Sequence, residues 1–320
     1  MANSAEHFNQ FYLDKLYGAL LLGSDYAGCL FQPPRKKGPA PMASIFSLTS
    51  HVVYGYVGAQ AAVPAWHLLG HQVWHLPTVL FSNHPGHGGY GGGPVDLGKQ
   101  NQLLDGLLER DLLAGCSALH TGYLGQLGSV DVALRAITAV PGALVLCDPV
   151  LGDAGGLYVD PELAAGMRDR LLPKADFATP NRFELSWLTG QGIHDLDDAI
   201  RAAQALRRRG PKTVVCTGAA QMGAWLHNLA VGPDGIFQVR VPYFADEAAA
   251  PKGTGDAFAA ILLGHYLNHG DIATALAWAS AALHGLIQAS IALQSGELAV
   301  VTAQNEITAP SRMFEVERLN

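Results

Sequence analysis

From residue 43 onward, short apolar runs alternate with longer stretches whose apolar residues return every three or four positions, and turn residues separate the two. The short runs cover 44–48, 73–76, 78–81, 117–120, 144–147, 176–178 and 213–216. Apolar residues at consecutive positions predict strands buried on both faces. Helical spacing predicts helices over 59–69, 96–108, 129–139, 161–171 and 195–209, and a longer one from Asp256 to about residue 267. The segment 49–58 is expected as a loop between strand and helix. Residues 223–230 and 235–241, joined through Gly232-Pro233-Asp234-Gly235, are expected as an antiparallel pair. Strand–helix alternation predicts an α/β domain with a central, mainly parallel sheet covered by helices on both faces. The start of the chain breaks the pattern. A short amphipathic helix fits 11–22, but the Pro-rich, basic run 32–41 is a linker, so 1–41 is expected as a poorly ordered extension. The domain is expected over 42–305 and a tail over 306–320.

Composition narrows the class. With 320 residues, 49% hydrophobic and 15% charged, the chain can bury a large core. A net charge of −7 argues against non-specific nucleic-acid binding, and Arg207-Arg208-Arg209 reads as a basic last helical turn. Cys29, Cys116, Cys147 and Cys216 show no CxxC spacing and read as reduced thiols of a cytoplasmic protein. His67, His71 and His75 are spaced by four, but Gly70 ends the helix between them and no HExxH occurs, so zinc is not expected. The apolar stretch 18–23 is too short to span a bilayer, and no membrane partner is expected.

The candidate chemistry clusters just past the predicted strand ends, where open parallel sheets collect ligands. Lys252-Gly253-Thr254-Gly255-Asp256 puts flexible backbone amides and a carboxylate at a helix start, a suitable place for an anion. Asp256 alone reads as a cap or as a base; Lys252 reads as a solvated side chain or a mobile positive charge. Asp148, at a strand end, and Asn181 with Glu184, three apart at a helix start, form an oxygen set suited to hydrated Mg²⁺. Together these groups fit phosphoryl transfer: Asp256 takes a hydroxyl proton while the amides of Gly253, Thr254 and Gly255 hold the developing charge. The glycine-rich run 82–94 lacks GK[ST] and reads as a ligand flap or a plain surface loop.

These residues resemble a known family. Lys252 to Phe258, with Asn181-Arg182-Phe183-Glu184 upstream, is similar to the anion-hole and NxxE signatures of the ribokinase-like small-molecule kinases. Ser50-His51-Val52-Val53-Tyr54-Gly55, Phe81-Ser82-Asn83-His84, Thr121-Gly122-Tyr123 and Cys147-Asp148-Pro149-Val150-Leu151-Gly152-Asp153 resemble pyridoxal kinases. The resemblance implies a ribokinase-like fold without a large lid domain and ATP-dependent phosphorylation of the 5′-hydroxymethyl group of pyridoxal or a related B6 vitamer. It implies Asp256 as base, Ser50 on the pyridine ring, and Val57, Phe81, His84 and Pro85 around the substrate. It assigns Asp148 and Glu184 to the Mg²⁺–ATP phosphates, Asp153 and Tyr158 to a loop beside them, and Thr179, Thr217 and Thr254 to the nucleotide. A homodimer and a monovalent cation such as K⁺ are also implied. Pro85 stands where relatives carry Thr, which removes a hydroxyl and an amide donor near the substrate. The alternatives are a hydroxymethylpyrimidine kinase and a B6-binding protein without turnover.

Overall fold

The computed structural model describes residues 42–244 and 251–319. The extension expected over 1–41, its helix and Cys29 lie outside the described residues. In chain order the strands are β1 (Ser44–Tyr54), β2 (Gln72–Asn83), β3 (Gly92–Pro94), β4 (Ala118–Thr121), β5 (Leu144–Cys147), β6 (Gly152–Asp153), β7 (Gly156–Leu157), β8 (Phe177–Ala178), β9 (Thr213–Met222), β10 (Trp225–Gly232), β11 (Gly235–Pro242) and β12 (Val316–Leu319). Strands β6 and β7 form a separate ribbon; the other ten make one sheet in the order β12-β11-β10-β9-β8-β5-β4-β1-β2-β3. From β2 through β9 every neighbouring pair is parallel, and antiparallel strands extend the sheet at both edges.

Helices cover both faces, as the alternation predicts. On one face lie α1 (Ala59–Leu68), α7 (Thr254–His269) and α8 (Ile272–Ala292), packed on Ile45, Ala118, Leu146 and Val215. On the other lie α2 (Leu97–Leu108), α3 (Gly128–Ala139), α4 (Pro161–Gly166), α5 (Arg182–Thr189) and α6 (Leu196–Arg207), packed on Phe46, Leu119, Val145 and Val214. Adjacent strand residues thus feed opposite cores, which is why the strands read as continuous apolar runs. Helix α8 spans 21 residues and is apolar enough to cross a membrane by length and composition, but 61% of its apolar window is buried inside the fold against α7 and the sheet. A short α9 (Asn305–Thr308) precedes β12.

Three local expectations change. The loop expected over 49–58 is strand as far as Tyr54, because the β-branched and aromatic run Val52-Val53-Tyr54 suits extended backbone. The two pieces expected at 73–76 and 78–81 are one strand through Pro77. Pro77 sits opposite Thr49, where the β1–β2 register shifts, so its missing N–H falls at an irregularity that tolerates it. The tail expected from 306 is part of the domain: Val316–Leu319 pairs antiparallel with Ile236–Val239 at the sheet edge.

Candidate active site

The amino terminus of α7 lies beyond the carboxyl ends of the parallel strands. Gly253 precedes it with φ 87°, a left-handed conformation, and a Cβ there would come within 1.8 Å of the Tyr56 carbonyl oxygen. Only glycine fits that approach. Gly255 differs: a Cβ there would meet nothing among the described residues within 4 Å, because this part of the turn opens into a cleft. The cleft, about 760 Å³, is lined by Thr254 and Gly255 and by Asn181, Asp153 and Thr217 from the neighbouring strand ends.

Asp256 sits in the first turn of α7, where its carboxylate accepts the Gly58 N–H and its own. Burial pushes its carboxyl up to about 6, and these amides only partly offset that. A carboxylate with that pKa is an effective proton acceptor near neutral pH.

Two further acids lie close by. Asp148 is buried at the end of β5, where Oδ1 accepts the Thr179 hydroxyl at 2.8 Å and Oδ2 has no partner among the described residues. Its carboxyl is pushed well above the ordinary range by burial, then by the charges of Glu184 and Asp256. Glu184 is raised to about 7, by burial first, against amide bonds that pull the other way. Those bonds define its local role. Glu184 Oε2 accepts the Asn181 N–H at 2.9 Å while Asn181 Oδ1 accepts the Glu184 N–H at 2.9 Å, a reciprocal cap on α5. Its Oε1 accepts the amides of Leu151 (2.9 Å) and Gly152 (3.4 Å), so the β6 loop hangs on the same side chain. Three mutually repelling carboxyls, one with an unpartnered buried oxygen, form a donor set that suits a hard divalent cation. Tyr158, more than half exposed, has its phenol pushed up by burial and by the charges of Asp153, Glu184, Asp256 and Asp148.

On the opposite side of Asp256, Ser50 is buried with Oγ so close to Gly58 that a Cβ there would come within 2.1 Å of it. Val57 packs on Val52, Val79 and Phe81, and the Phe81 ring lies 4.5 Å from Tyr90 on the glycine-rich loop. His84 is buried, and the exposed Pro85 opens a short 3₁₀ turn over Pro85–His87. Of the residues proposed from the sequence, Asp153, Thr217, Thr254 and Gly255 line the cleft, whereas Asp148, Thr179 and Glu184 are buried and do not.

Sequence reading missed two parts. One is the far wall of the cleft, where Tyr243 and Phe244 come from the segment just after β11, and Leu283, His284 and Ile287 from α8. These residues carry no motif; only their apolar character hints at a flat-faced ligand. The other is Glu297. Its Oε1 lies 2.7 Å from Nε2 of both His84 and His87, and the three ligand atoms lie within 4.8 Å of one another. His84 Nδ1, however, accepts the Gly86 N–H at 3.1 Å, which leaves the neutral ring's proton on Nε2, facing Glu297. The trio is therefore a hydrogen-bonded cluster, since a metal-ligating imidazole would donate from its other nitrogen. Its being the one charged residue of the run 291–301 was the available signal.

Comparison with known proteins supplies the context. The family model for phosphomethylpyrimidine kinase matches residues 110–301. A curated relative from Deinococcus radiodurans, pyridoxal kinase PdxY, is 38% identical over 293 residues, covering 88% of this chain and 98% of the relative. The structure of pyridoxal kinase from Leishmania donovani in complex with ADP and pyridoxamine superposes with a TM-score of 0.78 at 33% identity, covering 87% of this chain and 99% of that one. A putative phosphomethylpyrimidine kinase from Bacteroides thetaiotaomicron superposes with a TM-score of 0.79 at 26% identity, covering 87% of this chain and 98% of the other.

Proposed function

The chain belongs to the pyridoxal kinase family, and from that membership we propose that it transfers the γ-phosphoryl group of ATP to the 5′-hydroxymethyl oxygen of pyridoxal, giving pyridoxal 5′-phosphate and ADP in vitamin B6 salvage. The observation that carries this reading is Asp256, raised to about 6 and placed between the Ser50–Gly58 side and the open cleft at Gly255. Asp256 accepts the hydroxyl proton as the oxygen attacks the γ-phosphorus. The bond from phosphorus to the bridging oxygen breaks, and the charge on the transferred group rests against the amides of Gly253, Thr254 and Gly255. Asp153, Thr217 and Thr254 line the nucleotide cleft. Thr179 orients Asp148 through its 2.8 Å bond, and the Tyr158 phenol feels the charges of the acids. Asp148 and Glu184 would hold Mg²⁺, which neutralises phosphate charge when bound.

On the acceptor side, Ser50 meets the pyridine ring, and Val57, Phe81, His84 and Pro85 surround it. We also read the protein as a cytoplasmic homodimer stimulated by K⁺. Three buried free thiols, Cys116, Cys147 and Cys216, and the exposed apolar side chains of Val53, Tyr54 and Leu80 support the first two of these points.

The family-model match and the Bacteroides neighbour favour one second reading, phosphorylation of hydroxymethylpyrimidine. Measuring ADP release with pyridoxal, pyridoxine, pyridoxamine and hydroxymethylpyrimidine, with and without K⁺, separates the two. Turnover is expected to be fastest on a B6 vitamer; equal or faster pyrimidine turnover would overturn the assignment.

A further inference from the structure

Glu297 reaches three segments at once. It is largely buried, with a side-chain exposure of 12%. Its Oε2 accepts the Tyr56 N–H at 2.8 Å, and its Oε1 takes both His84 and His87. Its backbone bridges Lys252, the residue just before the anion-hole glycines. Two glycines clear space for this arrangement. A Cβ on Gly55, at φ +101°, would come within 2.7 Å of Glu297 Oε2, and one on Gly86 within 2.8 Å of His84 Nδ1. Burial alone would raise the Glu297 carboxyl, but the Tyr56 amide and the two imidazoles outweigh it and hold the carboxyl below its ordinary range.

His84 is consequently fixed at both ring nitrogens, by Glu297 on one side and the Gly86 amide on the other, so its ring has a single orientation. Tyr56 is fixed as well, and its carbonyl is what packs against Gly253.

We infer that Glu297 is the positioning residue of the acceptor half of the site: it holds His84 and the 55–58 loop against the B6 ring and ties both to the anion hole through Lys252. This rests on the function proposed above. Glu297 touches no reacting atom and acts through the residues it holds.

Glu297→Gln tests it. A carboxamide offers one acceptor oxygen to three donors, so at least one of Tyr56, His84 and His87 loses its partner. The expected result is a rise of about ten-fold in KM for pyridoxal with KM for ATP unchanged, because hydrogen bonds to charged groups carry effects of that order. The exposed His87→Ala removes one donor without touching the core and is expected to raise the same KM about two-fold. The double variant should show less than the product of the single effects, since both act through one oxygen. An unchanged KM for pyridoxal in Glu297→Gln, equal rises for both substrates, or multiplying effects in the double variant would overturn the inference while leaving the kinase assignment intact. Absence of pyridoxal turnover in the wild type would overturn both. If Glu297→Gln fails to fold, His87→Ala with separate pyridoxal and ATP titrations still decides between a selective and a general effect.

Discussion

The loop through 253–255 and the loop through 86–93 are both rich in glycine, and Gly86 lies close to the Lys252 side chain. Gly253 is pinned against the Tyr56 carbonyl and feeds directly into a buried helix, so its conformation is dictated by its neighbours. Gly88, Gly89 and Gly93 have nothing within 4 Å of a hypothetical Cβ, and Asn83 and Ser82 hold that loop through exposed hydrogen bonds to Gly89 and Gly91. At Gly253 glycine lets one stretch of backbone press on another; at Gly88, Gly89 and Gly93 it leaves space among the described residues, although Gly92 in the same loop is pressed on the Leu80 carbonyl. The same residue thus serves opposite kinds of packing, and in the second loop both occur side by side.

The largest effect should come from removing the proposed base that follows the tight loop. Asp256→Asn is expected to lower kcat by about a thousand-fold, with KM for pyridoxal little changed; a kcat near wild type would remove Asp256 from the chemistry. Its ionisation gives two pH signatures. The base form exists above its pKa, so kcat/KM should rise through about pH 6. Because the folded state binds this proton more tightly than the unfolded chain, ionisation costs stability as pH rises through the folded pKa of about 6. Asp256→Asn should therefore melt above wild type at neutral pH, with the gap closing below about pH 4; an unchanged gap across that range would show that burial does not perturb this carboxyl.

Gly253→Ala should come next. It forces a side chain into a left-handed backbone against a carbonyl, costing about 2 kcal/mol or more of stability together with most activity, both readable from a melt and a turnover assay. Glu184→Ala removes the carboxylate that accepts three amides, its half of the α5 capping box among them, with an expected loss of about 1–2 kcal/mol and a raised magnesium requirement at unchanged pyridoxal KM. A purely structural Glu184 would lower the melting temperature and leave the magnesium titration where it was. Gly255→Ala places a methyl group in open cleft, so it should weaken ATP use without moving the melting temperature. Gly89→Ala should do neither, and a clear loss of activity there would show that the second loop also closes tightly.

The sequence made the fold legible where apolar runs were uninterrupted, as in 144–147 and 213–216, because strands buried on both faces leave no other pattern. It misled at 49–54 and at Pro77, where polar residues and a proline within an apolar stretch look like loop chemistry until the register shift between β1 and β2 is seen. The acid side of the site was readable because carboxylates after strands are rare and conspicuous. The far wall of the cleft was not, since Leu283, His284 and Ile287 belong to a long apolar helix whose ligand-facing residues differ from its core residues only by position. Glu297 was hidden for another reason: its partners lie 210 to 241 residues away in sequence.

The edge strand β12 has a consequence for how the sheet meets other molecules. Strand β11 pairs with β10 along its whole length, and β12 covers the other side of residues 236–239. Without that cover an eight-residue strand with Ile236, Phe237 and Val239 would stand open at the margin of the sheet. Charged Arg240 on β11, and Glu317 and Arg318 on β12, further discourage edge-to-edge pairing with another chain. A strand of four residues thus hems the sheet against association with its neighbours.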